Sequence, residues 1–136
     1  MKYRLLLAVA VTLSAFAPSA VRADDKKSAT PYVHTVIFYL KADAPSGAAD
    51  EIVADCHEML GKIPSVRQLR AGRPAEKGTP GLAKKDFDVA LTVFFDDHDG
   101  LMTYDKHEMH QAFVKKHLSH VDIGKLLVYD SDDQAK

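Results

Sequence analysis

The feature of this sequence that most constrains its fold is the order of its strand-like and helix-like segments. Four segments rich in β-branched and aromatic residues predict strands, and two stretches with apolar residues at helical spacing predict helical regions. They lie at residues 32–41 (strand), 46–63 (helix), 66–72 (strand), 87–95 (strand), 98–117 (helical region in two parts) and 123–130 (strand). This order, β-α-β-β-α-β, predicts an α+β fold with ferredoxin-like topology, in which an antiparallel four-stranded sheet carries the helices on one face.

Single residues mark the ends of the helices. Ser46 is predicted to cap the first helix and Asp96 or Asp97 the second helical region, because such side chains accept hydrogen bonds from the free N–H groups of a first turn. Pro64 is expected to end the first helix. Cys56 lies on the apolar face of that helix, so we expect a small core residue there rather than a nucleophile.

The N-terminal segment has the pattern of a secretory signal peptide. Residues 1–23 combine a basic start, an apolar run at 5–17, and small residues at Val21 and Ala23. The apolar run is shorter than the roughly 20 residues that span a bilayer. We therefore expect cleavage, export to the periplasm or the cell exterior, and no membrane association after the signal is removed.

Charge and cysteine content exclude several classes of protein. The whole chain has a formal net charge of −1, and loss of residues 1–23 removes Lys2, Arg4 and Arg22 but no acidic residue. A mildly acidic exported protein is not expected to bind nucleic acid. The single cysteine excludes an intrachain disulfide and a cysteine-based zinc site. We predict no cofactor.

The strands at 32–41 and 87–95 are largely apolar on both faces. A sheet with helices on one face and water on the other should be polar on its open face. We therefore expect a second copy of the chain to cover that face, which makes a homodimer with a central cavity between the two sheets. The alternative is a single sheet with surface aromatic residues.

Seven histidines occur in the chain, and the densest group lies in the second helical region. Tyr104, His107 and His110 span roughly 120° of a helix, so they could point into one space. His34, near the start of the first strand, is expected to reach the same cavity from the open face of the sheet.

Three interpretations of these residues remain open from spacing alone. In the first, a neutral imidazole acts as general base and a tyrosine hydroxyl stabilises a developing oxyanion. In the second, His107 and His110 bind a metal ion, with His34 as a possible further ligand, although spacing specifies no third ligand. In the third, these histidines and the tyrosine are structural and bond backbone groups.

The chain from about Tyr32 to Ser131 resembles the stress-responsive A/B barrel (Dabb) family. The matching segments are VHTVIFYLK, KIPSV, FDVALTVFFDD, MTYDKHEMHQAFVKKHL and LLVYD. The resemblance implies a dimeric α/β barrel. It also implies a domain at 32–131, between a flexible lead-in at 24–31 and a polar tail at 132–136.

The family branch that contains the plant olivetolic acid cyclase uses a histidine base and a tyrosine, which match His110 and Tyr104. Its two other motif histidines match His34 and His107, whereas a pocket tyrosine falls on Cys56. The family motif His-Pro-x-His is His-Glu-Met-His in this chain.

The resemblance implies a stress-related protein that binds a small apolar or phenolic ligand in a cavity enclosed by the dimer. His110 and Tyr104 are the candidate catalytic residues, and His34 and His107 are the candidate ligand-binding residues. The alternative is a cyclase- or lyase-type enzyme in which His110 is the base and Tyr104 the oxyanion donor toward a small carbonyl compound.

Overall fold

The computed structural model describes residues 32–132, so the predictions for the signal peptide, the lead-in and residues 133–136 lie outside the described part. Within that part the strands are β1 (Tyr32–Phe38), β2 (Gln68–Gly72), β3 (Val89–Phe95) and β4 (Leu127–Asp132). The helices there are α1 (Ala48–Glu58), α2 (His98–Lys106) and α3 (Glu108–His117), and a short 3₁₀ turn, Leu60–Lys62, follows α1.

The four strands of residues 32–132 form one sheet in the order β2-β3-β1-β4, and every neighbouring pair is antiparallel. Helix α1 connects β1 to β2, and α2 and α3 together connect β3 to β4. The predicted ferredoxin-like fold is therefore confirmed. In the same part of the chain, no helix is long and apolar enough to cross a membrane.

Cross-strand register assigns each strand residue to one of the two faces of the sheet. Val36 of β1 lies opposite Leu91 of β3, and both are buried in one core cluster with Ile52 of α1. These side chains mark the face that the helices cover. Thr35 and Thr92 lie opposite each other on the other face, called the open face below. The open face also carries Val33, Ile37, Phe94, Leu127 and Tyr129.

On β1, β3 and β4 the open face presents mainly apolar side chains, as the sequence predicts for the strands at 32–41 and 87–95, whereas β2 contributes Gln68 and Arg70. Val33, Ile37 and Phe94 are half-buried, and Leu127 and Tyr129 are exposed. Apolar side chains on the uncovered face of a sheet leave it suited to packing against another apolar surface.

The two predicted helix caps have different outcomes. Asp97 caps α2, since its carboxylate accepts a hydrogen bond of 2.8 Å from the N–H of Gly100. The prediction for Ser46 is wrong, because α1 is preceded by Gly47, which makes no side-chain cap. Gly47 has φ 87°, a left-handed conformation that glycine adopts without steric cost.

The last strand begins later than the sequence predicts. The carbonyl of Asp122 accepts hydrogen bonds from the N–H groups of Lys125 (3.0 Å) and Leu126 (3.1 Å), which closes a turn before β4. The apolar run from residue 123 therefore enters the sheet only at Leu127. The strand then continues to Asp132, one residue beyond the predicted end of the domain.

Candidate functional site

A cavity of about 310 Å³ lies between the helix-covered face of the sheet and helices α2 and α3. It brings together His34, Tyr104 and His110. The ring centroid of Tyr104 is 4.5 Å from that of His110 and 6.1 Å from that of His34. The rest of the wall is apolar apart from Asp105. The size and the few convergent polar groups are typical of a small-molecule site.

The structure corrects the predicted position of this cavity. His34 lies opposite Val93, which is buried on the helix-covered face, so His34 is not on the open face. The three side chains therefore meet inside one chain, between sheet and helices, and not between two sheets.

Tyr104 is the most deeply buried polar side chain of the cavity, with 1% of its surface exposed. Its ring packs 5.2 Å from that of Phe95, at the end of β3. Burial raises the pKa of Tyr104 above its ordinary value, and the nearby Cys56 and Asp105 act in the same direction. Its hydroxyl has no hydrogen-bond partner among residues 32–132. Tyr104 therefore presents a protonated hydroxyl that can donate a hydrogen bond.

His110 lies on the first turns of α3, with its ring fixed by the end of α2. Its Nδ1 is 2.9 Å from the backbone carbonyl oxygen of Asp105. A carbonyl oxygen only accepts, so Nδ1 carries the hydrogen of this bond. In the neutral ring the lone pair then lies on Nε2, and this atom is available to accept a proton.

His34 is oriented from the neighbouring strand. Its Nδ1 is 2.7 Å from Oδ1 of Asp130, the residue directly opposite it on β4. An aspartate in this position fixes the tautomer and orientation of an imidazole, so that Nε2 is the free nitrogen. Sequence reasoning missed Asp130, although correct pairing of the first and last strands would have placed it beside His34.

His107 is not among the residues that line this cavity, so its ligand-binding role stays a prediction. It sits between α2 and α3 with φ −67° and ψ 141°, an extended conformation that ends one helix before the next begins. Its Nδ1 accepts a hydrogen bond of 3.2 Å from the N–H of Met109. A side chain that accepts from the first turn of a helix is an N-cap.

The remaining interpretations concern a metal ion and Cys56. Within residues 32–132, no group of three or more His, Cys, Asp or Glu side chains could hold a metal ion. Cys56 is completely buried, as predicted for a core residue. Burial raises the pKa of its thiol to about 12, with a smaller contribution from the charge of Asp55, so the thiol stays protonated at neutral pH.

Comparison with known proteins places these features in context. The family model described as the stress responsive A/B barrel domain, Dabb, matches residues 33–133. No curated protein matches the chain. Several solved structures match the chain, each at less than 25% sequence identity, so this likeness concerns the fold alone.

One similar structure is a Dabb family protein with a ferredoxin-like fold from Mesorhizobium loti, with 24% identity and a TM-score of 0.61, covering 78% of this chain and 99% of that chain. Another is a hydroxynitrile lyase from Passiflora edulis, with 16% identity and a TM-score of 0.64, covering 79% of this chain and 97% of that chain. A third is a dimeric ferredoxin-like protein of unknown function from Thermobifida fusca, with 16% identity and a TM-score of 0.62, covering 76% of this chain and 92% of that chain.

Proposed function

Because this chain belongs to the stress responsive A/B barrel (Dabb) family, whose model matches residues 33–133, we propose that it binds a small, mainly apolar ligand bearing a phenolic or carbonyl oxygen. The observation that supports this most strongly is the Tyr104 hydroxyl, which is buried in an apolar cavity without a partner among residues 32–132. A hydroxyl at the wall of an apolar cavity that makes no hydrogen bond with the protein is free to donate one to a ligand oxygen.

The three polar groups complement a phenol. Tyr104 can donate a hydrogen bond to the ligand oxygen, and the free nitrogen of His34 or His110 can accept one from the ligand hydroxyl. The apolar wall would hold the rest of the molecule. A phenol would thus pair the Tyr104 hydroxyl and one of the two imidazoles.

The binding proposal is tested by calorimetric titration of the chain from residue 24 with para-ethylphenol. We expect Tyr104→Phe and His110→Gln each to weaken binding about tenfold, the size of one lost hydrogen bond. The matched control is His57→Gln, at an exposed histidine outside the cavity, which should bind as the wild type does. Equal affinity in all four proteins would contradict the proposal.

A second candidate function is an enzyme of the cyclase or lyase type. The observation that favours it is the hydrogen bond between His110 and the Asp105 carbonyl, which leaves Nε2 as a base beside the Tyr104 donor. In the proposed step, His110 takes a proton from the carbon next to a carbonyl group. The C–H electron pair moves into an enolate, whose oxygen accepts a hydrogen bond from Tyr104. One relative in fold is named as a hydroxynitrile lyase.

Proton exchange tests this step without knowledge of the substrate. Incubation with propiophenone in D₂O should give deuterium at the carbon next to the carbonyl, measured by mass spectrometry. We expect His110→Gln to reduce the exchange rate by about two to four powers of ten, and His57→Gln to leave it unchanged. Wild-type exchange no faster than in buffer would contradict an enzymatic function and leave the binding proposal intact.

The quaternary structure and the location are also proposals. A homodimer formed through the open face is supported by its apolar side chains and by similar structures described as dimeric.

Export is supported by the signal-peptide pattern of residues 1–23. Mass spectrometry of the protein from its native host should then find an N-terminus at or near Asp24, and an intact Met1 on the soluble protein would contradict export. The name of the family supports a role in stress responses.

A further inference from the structure

A row of polar side chains crosses the middle of the open face. Arg70 of β2 lies opposite Thr92 of β3. Thr92 lies opposite Thr35 of β1, which in turn lies opposite Tyr129 of β4. Residues that lie directly opposite each other on neighbouring strands point to the same face of a sheet. These four side chains, called the polar stripe below, therefore share the open face.

The rows on either side of the polar stripe carry no charge. One consists of Gln68, Phe94, Val33 and Ser131, and the other of Gly72, Ala90, Ile37 and Leu127. No carboxylate thus lies in the row of Arg70 or in the two rows beside it. The Arg70 guanidinium forms no ion pair among residues 32–132, and it donates one hydrogen bond of 3.3 Å, to the backbone carbonyl of Leu69.

The hydroxyl groups of the polar stripe also have no partners in the described part of the chain. The side chains of Thr35, Thr92 and Tyr129 make no hydrogen bond with residues 32–132. Thr35 and Thr92 are half-buried, and Tyr129 has 57% of its surface exposed. In a single chain, water can satisfy these groups. In the proposed homodimer, the second sheet would exclude that water.

Formation of the dimer through the open face would double this set of groups and bury it. A two-fold axis that lies between the sheets and passes through the centre of the face brings the middle rows of both copies together. Sheets packed face to face lie about 10 Å apart, so side chains from both copies can reach the same space. Two guanidinium groups would then lie in a largely apolar interface without a carboxylate beside them, and burial of an unpaired charge is unfavourable.

We propose that the dimer interface binds a small dianion, held by Arg70 of both copies and by the hydroxyl groups of the polar stripe. The proposal rests on the proposed homodimer and is independent of the ligand cavity between the sheet and the helices. Two positive charges are neutralised by a dianion, a guanidinium pairs with two oxygens of a phosphate or a carboxylate, and a hydroxyl can donate to a further oxygen. Inorganic phosphate and a short dicarboxylate such as succinate both have this chemistry.

Calorimetric titration of the wild-type dimer tests the site, with phosphate and succinate added separately in a chloride buffer of constant ionic strength. We expect at least one of them to bind with one anion per two chains, because the site lies on the two-fold axis. Arg70→Gln should weaken that binding at least tenfold. The matched control is Arg73→Gln, which should bind as the wild type does, because Arg73 is exposed and pairs with Asp50 of α1.

Sedimentation gives a second measurement, which an anion bound to each single chain would not affect. An anion that binds only the dimer stabilises it by mass action, so an anion concentration ten times its dissociation constant should lower the dissociation constant of the dimer about tenfold. Arg70→Gln should remove this dependence. Without the anion it should dimerise at least as well as the wild type, because it removes two like charges from the interface.

Thr35→Val tests the hydroxyl groups, because it keeps the size of the side chain and removes the donor. We expect it to weaken anion binding about tenfold, the effect of one hydrogen bond lost from each copy. Melting temperatures of the Thr35 and Arg70 variants report whether the fold is retained. If Arg70→Gln does not fold, Thr35→Val decides, and unchanged anion binding in that variant would overturn the inference.

The remaining outcomes separate this inference from the proposals around it. If the wild type is a dimer but neither anion binds at one per two chains, the inference is overturned and the homodimer stands. Equal binding by the wild type and Arg70→Gln would also overturn it, since the anion would then lie elsewhere. A wild-type chain that stays monomeric would refute the homodimer and this inference together, and it would leave the phenol site inside each chain untouched.

Discussion

Four histidines in this chain each have one ring nitrogen held by a fixed partner, and the partner determines what the residue can do. His107 accepts a backbone hydrogen bond, which makes it a structural cap. His34, His110 and His117 each donate a hydrogen bond from one ring nitrogen to an oxygen, which leaves the second nitrogen free. The partners are Asp130 for His34, the Met109 N–H for His107, the Asp105 carbonyl for His110 and Asp55 for His117. Because the sequence shows only the residue type, it could not distinguish these roles.

The clearest prediction at this scale concerns Tyr104→Phe. The hydroxyl makes no hydrogen bond with residues 32–132, so its removal breaks none of the described contacts and keeps the packed ring. We expect the free energy of unfolding to change by less than about 0.5 kcal/mol, because the substitution removes no hydrogen bond within residues 32–132. Urea unfolding measures this change. A loss of about 2 kcal/mol or more would contradict the assignment, since it would mean that the hydroxyl has a structural partner.

At the scale of elements, the division between α2 and α3 arises without the proline of the family motif. His107 is already extended, which is the conformation that a following proline requires. Glu108 occupies the first position of α3, where the backbone N–H has no partner within the helix and proline is well tolerated.

Glu108→Pro should therefore be accepted without loss of the fold. We expect the free energy of unfolding to rise by about 0.5 kcal/mol, because proline restricts the unfolded chain. Thermal unfolding measures the change, and Met109→Pro is the control that should be destabilising, since the Met109 N–H bonds His107. A Glu108→Pro protein that melts well below the wild type would show that this helix start is incorrectly described.

The junction between α1 and α3 predicts acid sensitivity. Burial alone would raise the pKa of Asp55, but hydrogen bonds from Lys116 and His117 outweigh it and hold the pKa below its ordinary value. A lowered pKa in the folded state means that the contribution to stability is present above the ordinary value, about 3.9, and is lost as the pH falls through the folded-state pKa.

Asp55→Asn removes this charge. We expect it to lower the free energy of unfolding by about 2 kcal/mol at pH 7, and the difference from the wild type to shrink as the pH falls below about 4. Chemical unfolding across that range measures both quantities. A difference that stays constant from neutral to acidic pH would contradict the role given to the ionised Asp55.

The sequence predicted the elements better than the site. Helical spacing located α1 and α3, and Asp97 marked the start of α2, because periodicity and capping depend on local residues. The first strand is apolar on alternate residues in both registers, so the sequence could not show which face His34 occupies. That ambiguity placed the cavity between two sheets, and it also concealed Asp130.

At the scale of the whole molecule, the open face predicts the dimer interface. Phe94 lies on this face near the end of β3, directly opposite Val33 of β1. We expect sedimentation of the chain from residue 24 to show a dimer at micromolar concentration and Phe94→Glu to give a folded monomer, because a buried unpaired carboxylate is costly. Leu82→Glu, at an exposed loop position, is the control and should remain dimeric. A wild-type monomer would contradict this interface.

The position of the cavity that contains His34, Tyr104 and His110 has a consequence for the proposed dimer. The cavity lies on the helix-covered side of the sheet, whereas the open face carries the proposed interface. The proposed ligand site and the proposed dimer interface therefore lie on opposite sides of one sheet. A monomeric Phe94→Glu protein should still bind para-ethylphenol, and the same calorimetric titration can be made on it.

The most direct measurement is the histidine ring ¹⁵N spectrum of the chain from residue 24, recorded with and without para-ethylphenol. We expect the Nε2 signals of His34 and His110 to shift on binding, because each has its Nδ1 held by a protein oxygen and its Nε2 free. The signals of His57, an exposed residue outside the cavity, should stay unchanged. Unshifted signals at both His34 and His110 in the presence of saturating phenol, or an equal shift at His57, would contradict the proposed ligand site.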